Sequence, residues 1–213
     1  MKIGIIGAGN LGTGIGKRLA RHGHDIVVSF ARSDDKLTEA ARIIGGGCRT
    51  GKPREAATHA DVVIIATPWP VTLPTLADIA DVLVDKIVWD TTNPLKPDMT
   101  GLEIGTTTSA GEQVAAALPG ARVVKAIAPF AELLHSANTA VQGMPPGVVA
   151  CGDDPDARST VLGLVGDLDA AGVDAGPLQL ARYTEPQGML LVQLAYQQGF
   201  GARIATALLH EPS

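Results

Sequence analysis

Two periods of apolar residues alternate along the chain. Short aliphatic runs such as Ile3-Gly-Ile-Ile6 and Val62-Val-Ile-Ile65 have the continuous burial that central parallel strands need. Between them lie longer segments with apolar residues at helical spacing. The pattern predicts a strand ahead of Gly7, then strands at 25–30, 48–50, 61–67, 87–90, 122–126, 147–152 and 173–176. It predicts helices over 11–22, 36–44, 53–59, 71–83, 109–118 and 153–171, with two closing helices on either side of residues 199–201. Ser109 and Glu112 have the spacing of a capping box, and Asp154-Pro155 makes a good helix entry. Residues 128–146, with four prolines and glycines, read as a loop. Strands alternating with helices imply an α/β fold, a doubly wound parallel sheet with right-handed crossovers. Residues 1–125 form its cofactor-binding domain, and residues 126–213 a smaller C-terminal α/β portion for substrate and dimerisation.

Composition narrows the class. Of 213 residues, 46% are hydrophobic and 3% aromatic, so the core is aliphatic. A net charge of −5 argues against nucleic acid and anionic membrane as partners. Cys48 and Cys151 lack metal or disulfide spacing and read as reduced thiols. With no apolar stretch of spanning length, the chain reads as soluble and cytoplasmic.

The candidate chemistry begins at the first strand. Gly7-x-Gly9-x-x-Gly12 stands between strand and helix, where the glycines allow a tight turn, approach of a pyrophosphate and close packing. The unpaired N–H groups of the helix suit the phosphates. At the end of the second strand no acid precedes Arg32; with Ser33 and Lys36 it favours a 2′-phosphate, and so NADP(H) over NAD(H). Thr67-Pro68-Trp69 and Thr92-Asn93-Pro94 follow two further strands, on the edge where a nicotinamide lies.

Five stretches in order carry a more specific likeness: GIIGAGNLG, ATPW, DTTNPL, SAGEQVAAALPGARVVKA, and CGDD followed by DAGPL. Together they resemble the NADPH-dependent deazaflavin reductases, the factor-420:NADP oxidoreductases and their bacterial relatives, over essentially the whole chain. The resemblance implies a Rossmann domain binding NADP, a small C-terminal domain closing the cleft, and a homodimer. It implies a small-molecule acceptor, coenzyme F420 (a deazaflavin) or a flavin. Ala8, Gly9, Asn10 and Leu11, between Gly7 and Gly12, match the pyrophosphate loop, and Arg32 and Lys36 the 2′-phosphate site. Thr67, Pro68, Trp69, Asn93 and Ala126 match the nicotinamide end. Ala128, Pro129, Phe130, Glu132, His135 and Arg203 fall where the acceptor binds. Ala31 stands where the family often has serine, and Ala128 where it has a ring-facing histidine or asparagine.

Hydride transfer between stacked rings needs alignment and exclusion of water more than acid–base help. No catalytic residue is assigned. Were the acceptor a small imine, enone or ketone, Glu132, His135, Tyr183 and Glu185 are the candidate proton donors. A non-catalytic NADPH sensor is the third reading. His22 and His24 suit a helix end better than a metal, and His59 and His210 have no evident partner. Tyr183 and the apolar stripe at 189–195 read as core or dimer surface.

Overall fold

A computed structural model describes residues 1–30 and 32–209; Ala31 and residues 210–213, including His210, lie outside the described part. The first half runs β1 (Lys2–Ile6), α1 (Asn10–Arg21), β2 (Asp25–Ser29), α2 (Asp34–Ile44), β3 (Arg49–Thr50), α3 (Pro53–His59), β4 (Val62–Ile65), α4 (Trp69–Ala77) and β5 (Ile87–Asp90). There follow α5 (Ala110–Ala117), β6 (Arg122–Ala126), α6 (Ala131–His135), β7 (Gly147–Gly152), α7 (Pro155–Gly166), β8 (Ala171–Gly176) and α8 (Ala181–Val192). A wide helical turn, Gln193–Gln197, prolongs α8.

Among the described residues eight strands make one sheet, ordered β3-β2-β1-β4-β5-β6-β7-β8. Every pairing from β3 to β6 is parallel. The order reverses between β1 and β4, and ligands enter such sheets at the carboxyl ends beside that reversal. Burial explains the aliphatic runs. Along β4, Val62 and Ile64 join one core cluster with Ile15, Leu19 and Leu164. Their neighbours Val63 and Ile65 join a second cluster with Leu76 and Val114 on the opposite face. With both faces covered, no position in the strand is left for a polar residue.

Several elements differ from the sequence pattern. β7 pairs with β6 antiparallel, whereas the pattern implies a parallel sheet throughout. The segment between them holds only the five-residue α6 and no crossover helix, so β7 returns from the edge where β6 ends. α6 itself lies inside the stretch read as loop. α4 starts at Trp69, with Pro70 in its first turn, and stops at Ala77 after the internal Pro74. α7 ends at Gly166, where Asp169 takes a φ of 56° and turns the chain into β8.

Among the described residues no helix follows 199–201. Gly199 and Gly201, with φ of 76° and 77°, break the chain, and residues 202–209 carry no regular structure. Gly147 N–H donates to Thr206 O at 2.6 Å, fastening this tail to the start of β7. So short a segment is not stable as a helix alone, and its tertiary contacts decide its form.

Candidate functional site

The turn from β1 to α1 is built by its glycines. Gly7 has φ of 125°, and a Cβ there would lie 2.3 Å from Ala66 O. A Cβ on Gly12 would lie 1.9 Å from Gly7 O, so only glycine lets helix and turn meet. Gly7 N and Ala8 N donate to Ser29 O and Phe30 O at 3.0 and 2.9 Å, tying the turn to the end of β2. Gly9 caps α1 without a side-chain hydrogen bond, and the first turn holds no acid. The orphan N–H groups of the helix are therefore open to an anion.

A groove of about 730 Å³ starts at this turn and reaches the other end of the expected cofactor. Gly7, Ala8, Gly9, Asn10, Arg32, Lys36 and Pro68 line it. Ser33 does not, because its Oγ caps α2 by accepting from Lys36 N at 3.3 Å. Glu39 also lines the groove, a residue that sequence reading missed. Lys36, Glu39, Ala40 and Ile43 all line it at helical spacing, a signal available in the sequence. Arg42 holds Glu39 by two bonds of 2.7 Å, and this keeps the Glu39 carboxyl below its ordinary value.

A second cavity of about 370 Å³ shares Asn10 with the groove. Leu11, Asn93, Ala128, Pro129, Phe130 and Glu132 are sequence candidates that line it. The opposite wall comes from α8 and its extension (Thr184, Gly188, Leu191, Tyr196) and from Ile204, Ala205 and Thr206 in the tail. Phe130 and Tyr196 meet edge to face, with ring centroids 6.1 Å apart. Burial, and then the Glu132 carboxylate, push the Tyr196 phenol above its ordinary value.

Other candidates point elsewhere. The Trp69 ring packs into the core cluster that holds Ile65 and Leu76, because α4 begins at that residue. Thr67 is buried, its hydroxyl 2.8 Å from that of Thr72. Ala126 is also buried, and its carbonyl accepts from Trp89 Nε1 at 2.8 Å. Arg203 is exposed and outside the cavity lining; its neighbours 204–206 line the wall instead. His135 lies under the pyrophosphate turn, with Nε2 2.9 Å from Asn10 O and 3.4 Å from Thr13 Oγ1. Of the other proton-donor candidates, Tyr183 is exposed and Glu185 is buried. His22 caps α1, and both His22 and His24 contact Asp167.

Sequence reading also missed a buried ionic cluster beside Asn93. Lys125 Nζ lies 3.0 Å from both Asp90 Oδ2 and Glu185 Oε1 and donates to Thr92 O at 2.6 Å. Burial alone lowers the Lys125 pKa, but Asp90 and Glu185 outweigh it and hold the ammonium above its ordinary value. Asp90 and Lys125 stand opposite each other on β5 and β6, a pairing that needs the strand register to be seen. The thiols are held neutral: burial pushes Cys48 up to about 11 and Cys151 up to about 12.

Comparison with known proteins agrees with this geometry. The family model for NADP oxidoreductase, coenzyme F420-dependent, matches residues 2–94. The F420-dependent NADP reductase of Methanocaldococcus jannaschii is 30% identical over 225 residues, spanning 96% of this chain and 98% of that protein. The F420-dependent NADP reductase of Methanothermobacter thermautotrophicus is 28% identical over 91% of this chain and 89% of its own. A crystal structure of a candidate F420-dependent NADP reductase from Arthrobacter sp. FB24 matches with a TM-score of 0.84 at 26% identity, over 99% of this chain and 100% of that one. A glycine turn on a parallel sheet, a cationic groove end and a full-length relative lead to one conclusion: the chain belongs to the coenzyme F420-dependent NADP oxidoreductase family and is an NADP-dependent oxidoreductase.

Proposed function

We propose that the protein transfers hydride between NADPH, held in the groove with its nicotinamide reaching into the adjoining cavity, and a deazaflavin of the coenzyme F420 type bound beside it in that cavity. The observation that carries this reading is the meeting of groove and cavity at Asn10, which lets a cofactor held in the groove extend into the space where the acceptor binds. NADPH supplies the hydride when bound. The protein's part is to hold the pyrophosphate on Gly7–Gly12 and the 2′-phosphate on Arg32 and Lys36. Asn93 fixes the nicotinamide end, and Ala128, Pro129 and Phe130 hold the acceptor ring in apolar surroundings, where water is kept out. In this reading residues 1–125 bind the cofactor. Residues from 126 onward supply the acceptor wall and a homodimer contact, and the enzyme works in the cytoplasm.

Mixing the protein with NADPH and F420 should bleach the deazaflavin absorbance, with equimolar NADPH oxidation. Reduction of a cyclic imine but not of F420, or tight NADPH binding without turnover of any acceptor, would overturn the proposal. Arg32→Ala should weaken NADPH by roughly 10- to 100-fold, the worth of charge-assisted phosphate bonds, and NADH by far less. Equal losses for both cofactors would remove the 2′-phosphate assignment.

A further inference from the structure

Asn93 lines the cavity, and its side-chain amide has one end committed and the other unpaired. Its Nδ2 donates to Glu185 O at 3.2 Å, which fixes the amide the other way round, with Oδ1 as the free end. That oxygen is buried and has no hydrogen-bond partner among the described residues. Native structures leave few such atoms unpaired, and the exceptions call for a function. Gly188 of α8 leaves the space that Nδ2 occupies, where a Cβ would lie 2.8 Å away, and a reversed amide would set Oδ1 against the Glu185 carbonyl, oxygen facing oxygen.

The ionic cluster holds both sides of this arrangement. Asp90 Oδ1 accepts from Thr92 N at 2.8 Å, and Lys125 donates to Thr92 O, so the peptide groups leading into Asn93 are tied on both faces. Glu185, whose carbonyl holds the Asn93 amide, is tied by Lys125 and by the N–H groups of Ala110 and Gly111 at 2.9 and 3.0 Å. Those N–H groups open α5, where the helix dipole favours a carboxylate. A buried ion cluster adds little net stability over apolar packing, whereas fixing one arrangement is a role well suited to it.

We propose that Lys125, Asp90 and Glu185 are positioning residues for Asn93, and that Asn93 Oδ1 accepts a hydrogen bond from an amide N–H of a ring entering the cavity. Two rings carry such a group, the nicotinamide through its carboxamide and the deazaflavin through its pyrimidine imide. The inference rests on the reading that the nicotinamide end reaches Asn93.

Calorimetric binding tests it without need of turnover. The probes are NADP, its acetylpyridine analogue (a methyl ketone in place of the carboxamide), the deazaflavin alone, and adenosine 2′,5′-bisphosphate. If the carboxamide is the donor, wild type prefers NADP to the analogue by about tenfold, one hydrogen bond's worth, and Asn93→Ala abolishes the preference. If the imide is the donor, Asn93→Ala instead weakens the deazaflavin by a similar factor. A variant that changes neither overturns the assignment of Oδ1. Failure of F420 turnover in wild type, with these binding differences intact, would count against the proposed reaction and not against this contact.

The positioning role has its own arm. Lys125→Met should lose the same discrimination while binding adenosine 2′,5′-bisphosphate as wild type does, because that probe fills only the far end of the groove. A merely misfolded variant loses both. If Lys125→Met does not fold, Glu185→Gln serves in its place. Full discrimination in a folded variant of either kind overturns the positioning role.

Discussion

Gly9 and Gly12 stand three residues apart in one turn, yet a methyl group at each meets a different fate. At Gly12 it would strike the backbone oxygen of Gly7 at 1.9 Å, an atom with no freedom to move away. At Gly9 it meets nothing within 4 Å, and the φ of −79° suits any residue. Gly12→Ala should therefore destabilise the fold by about 1–3 kcal/mol, the range for overpacked sites. Gly9→Ala should leave the melting temperature unchanged and raise the KM for NADPH at least about tenfold, by keeping the pyrophosphate from the backbone. Thermal melts and cofactor kinetics on both variants check the contrast; a Gly9→Ala protein with normal KM would place the pyrophosphate elsewhere. The glycines were legible in the sequence because their constraint is local. Glu39 was legible in principle from helical spacing. Lys125 was not, since its partners Asp90 and Glu185 come from β5 and α8, 35 and 60 residues away.

Between elements, α1 and α6 are joined by a buried guanidinium. Arg18 is 3% exposed and donates to the carbonyls of Leu134 and Ser136 at 2.9 and 2.7 Å, and it pairs with Asp169. These carbonyls lie in the last turn and at the C-cap of a five-residue helix, and Arg18 is their hydrogen-bond donor among the described residues. Arg18→Met keeps the stem but strands those acceptors and should cost about 2–4 kcal/mol in urea unfolding, with an unchanged m-value. A loss below about 0.5 kcal/mol would show that water replaces the guanidinium. A second link joins α5 to α8, where Arg182 grips Glu112 at 2.7 and 2.9 Å. Arg182 and then Ser109 hold the Glu112 carboxyl below its ordinary 4.5, against the opposing effect of burial. The pair thus adds stability above pH 4.5, and that increment drains away as the pH falls through the lower folded-state value. Arg182→Ala should flatten the stability profile in that window alone; an unchanged slope would remove Glu112 from the acid response. The N-cap at Ser109 was readable from spacing, although Glu112 accepts from the Ser109 hydroxyl and not from its backbone N–H, so the box is only half formed. By contrast, α6 is too short for any period to register, and the tail at 202–209 follows contacts that no local pattern carries.

At the scale of the molecule, α8 has two faces with two tasks. Thr184, Gly188 and Leu191 turn inward and wall the acceptor cavity. Tyr183 and Leu190, seven positions apart and so on one side of the helix, are 72% and 58% exposed. Phe200, Leu208 and Leu209 add exposed apolar side chains from the segment that follows. Exposed large apolar side chains on one side of a helix are the kind of surface that a second copy of the chain covers. If the proposed homodimer forms there, burial of α8 stiffens the cavity wall from behind, and assembly and acceptor binding are linked. Sedimentation equilibrium should give a dimer for wild type and a shift toward monomer for Leu190→Lys, a charge placed in an apolar contact. The variant should also show a raised KM for the acceptor, while adenosine 2′,5′-bisphosphate, bound at the distant groove end, keeps its affinity. A Leu190→Lys protein that remains dimeric would move the interface off this face. One that becomes monomeric with an unaltered acceptor KM would leave the interface in place and break its link to the site.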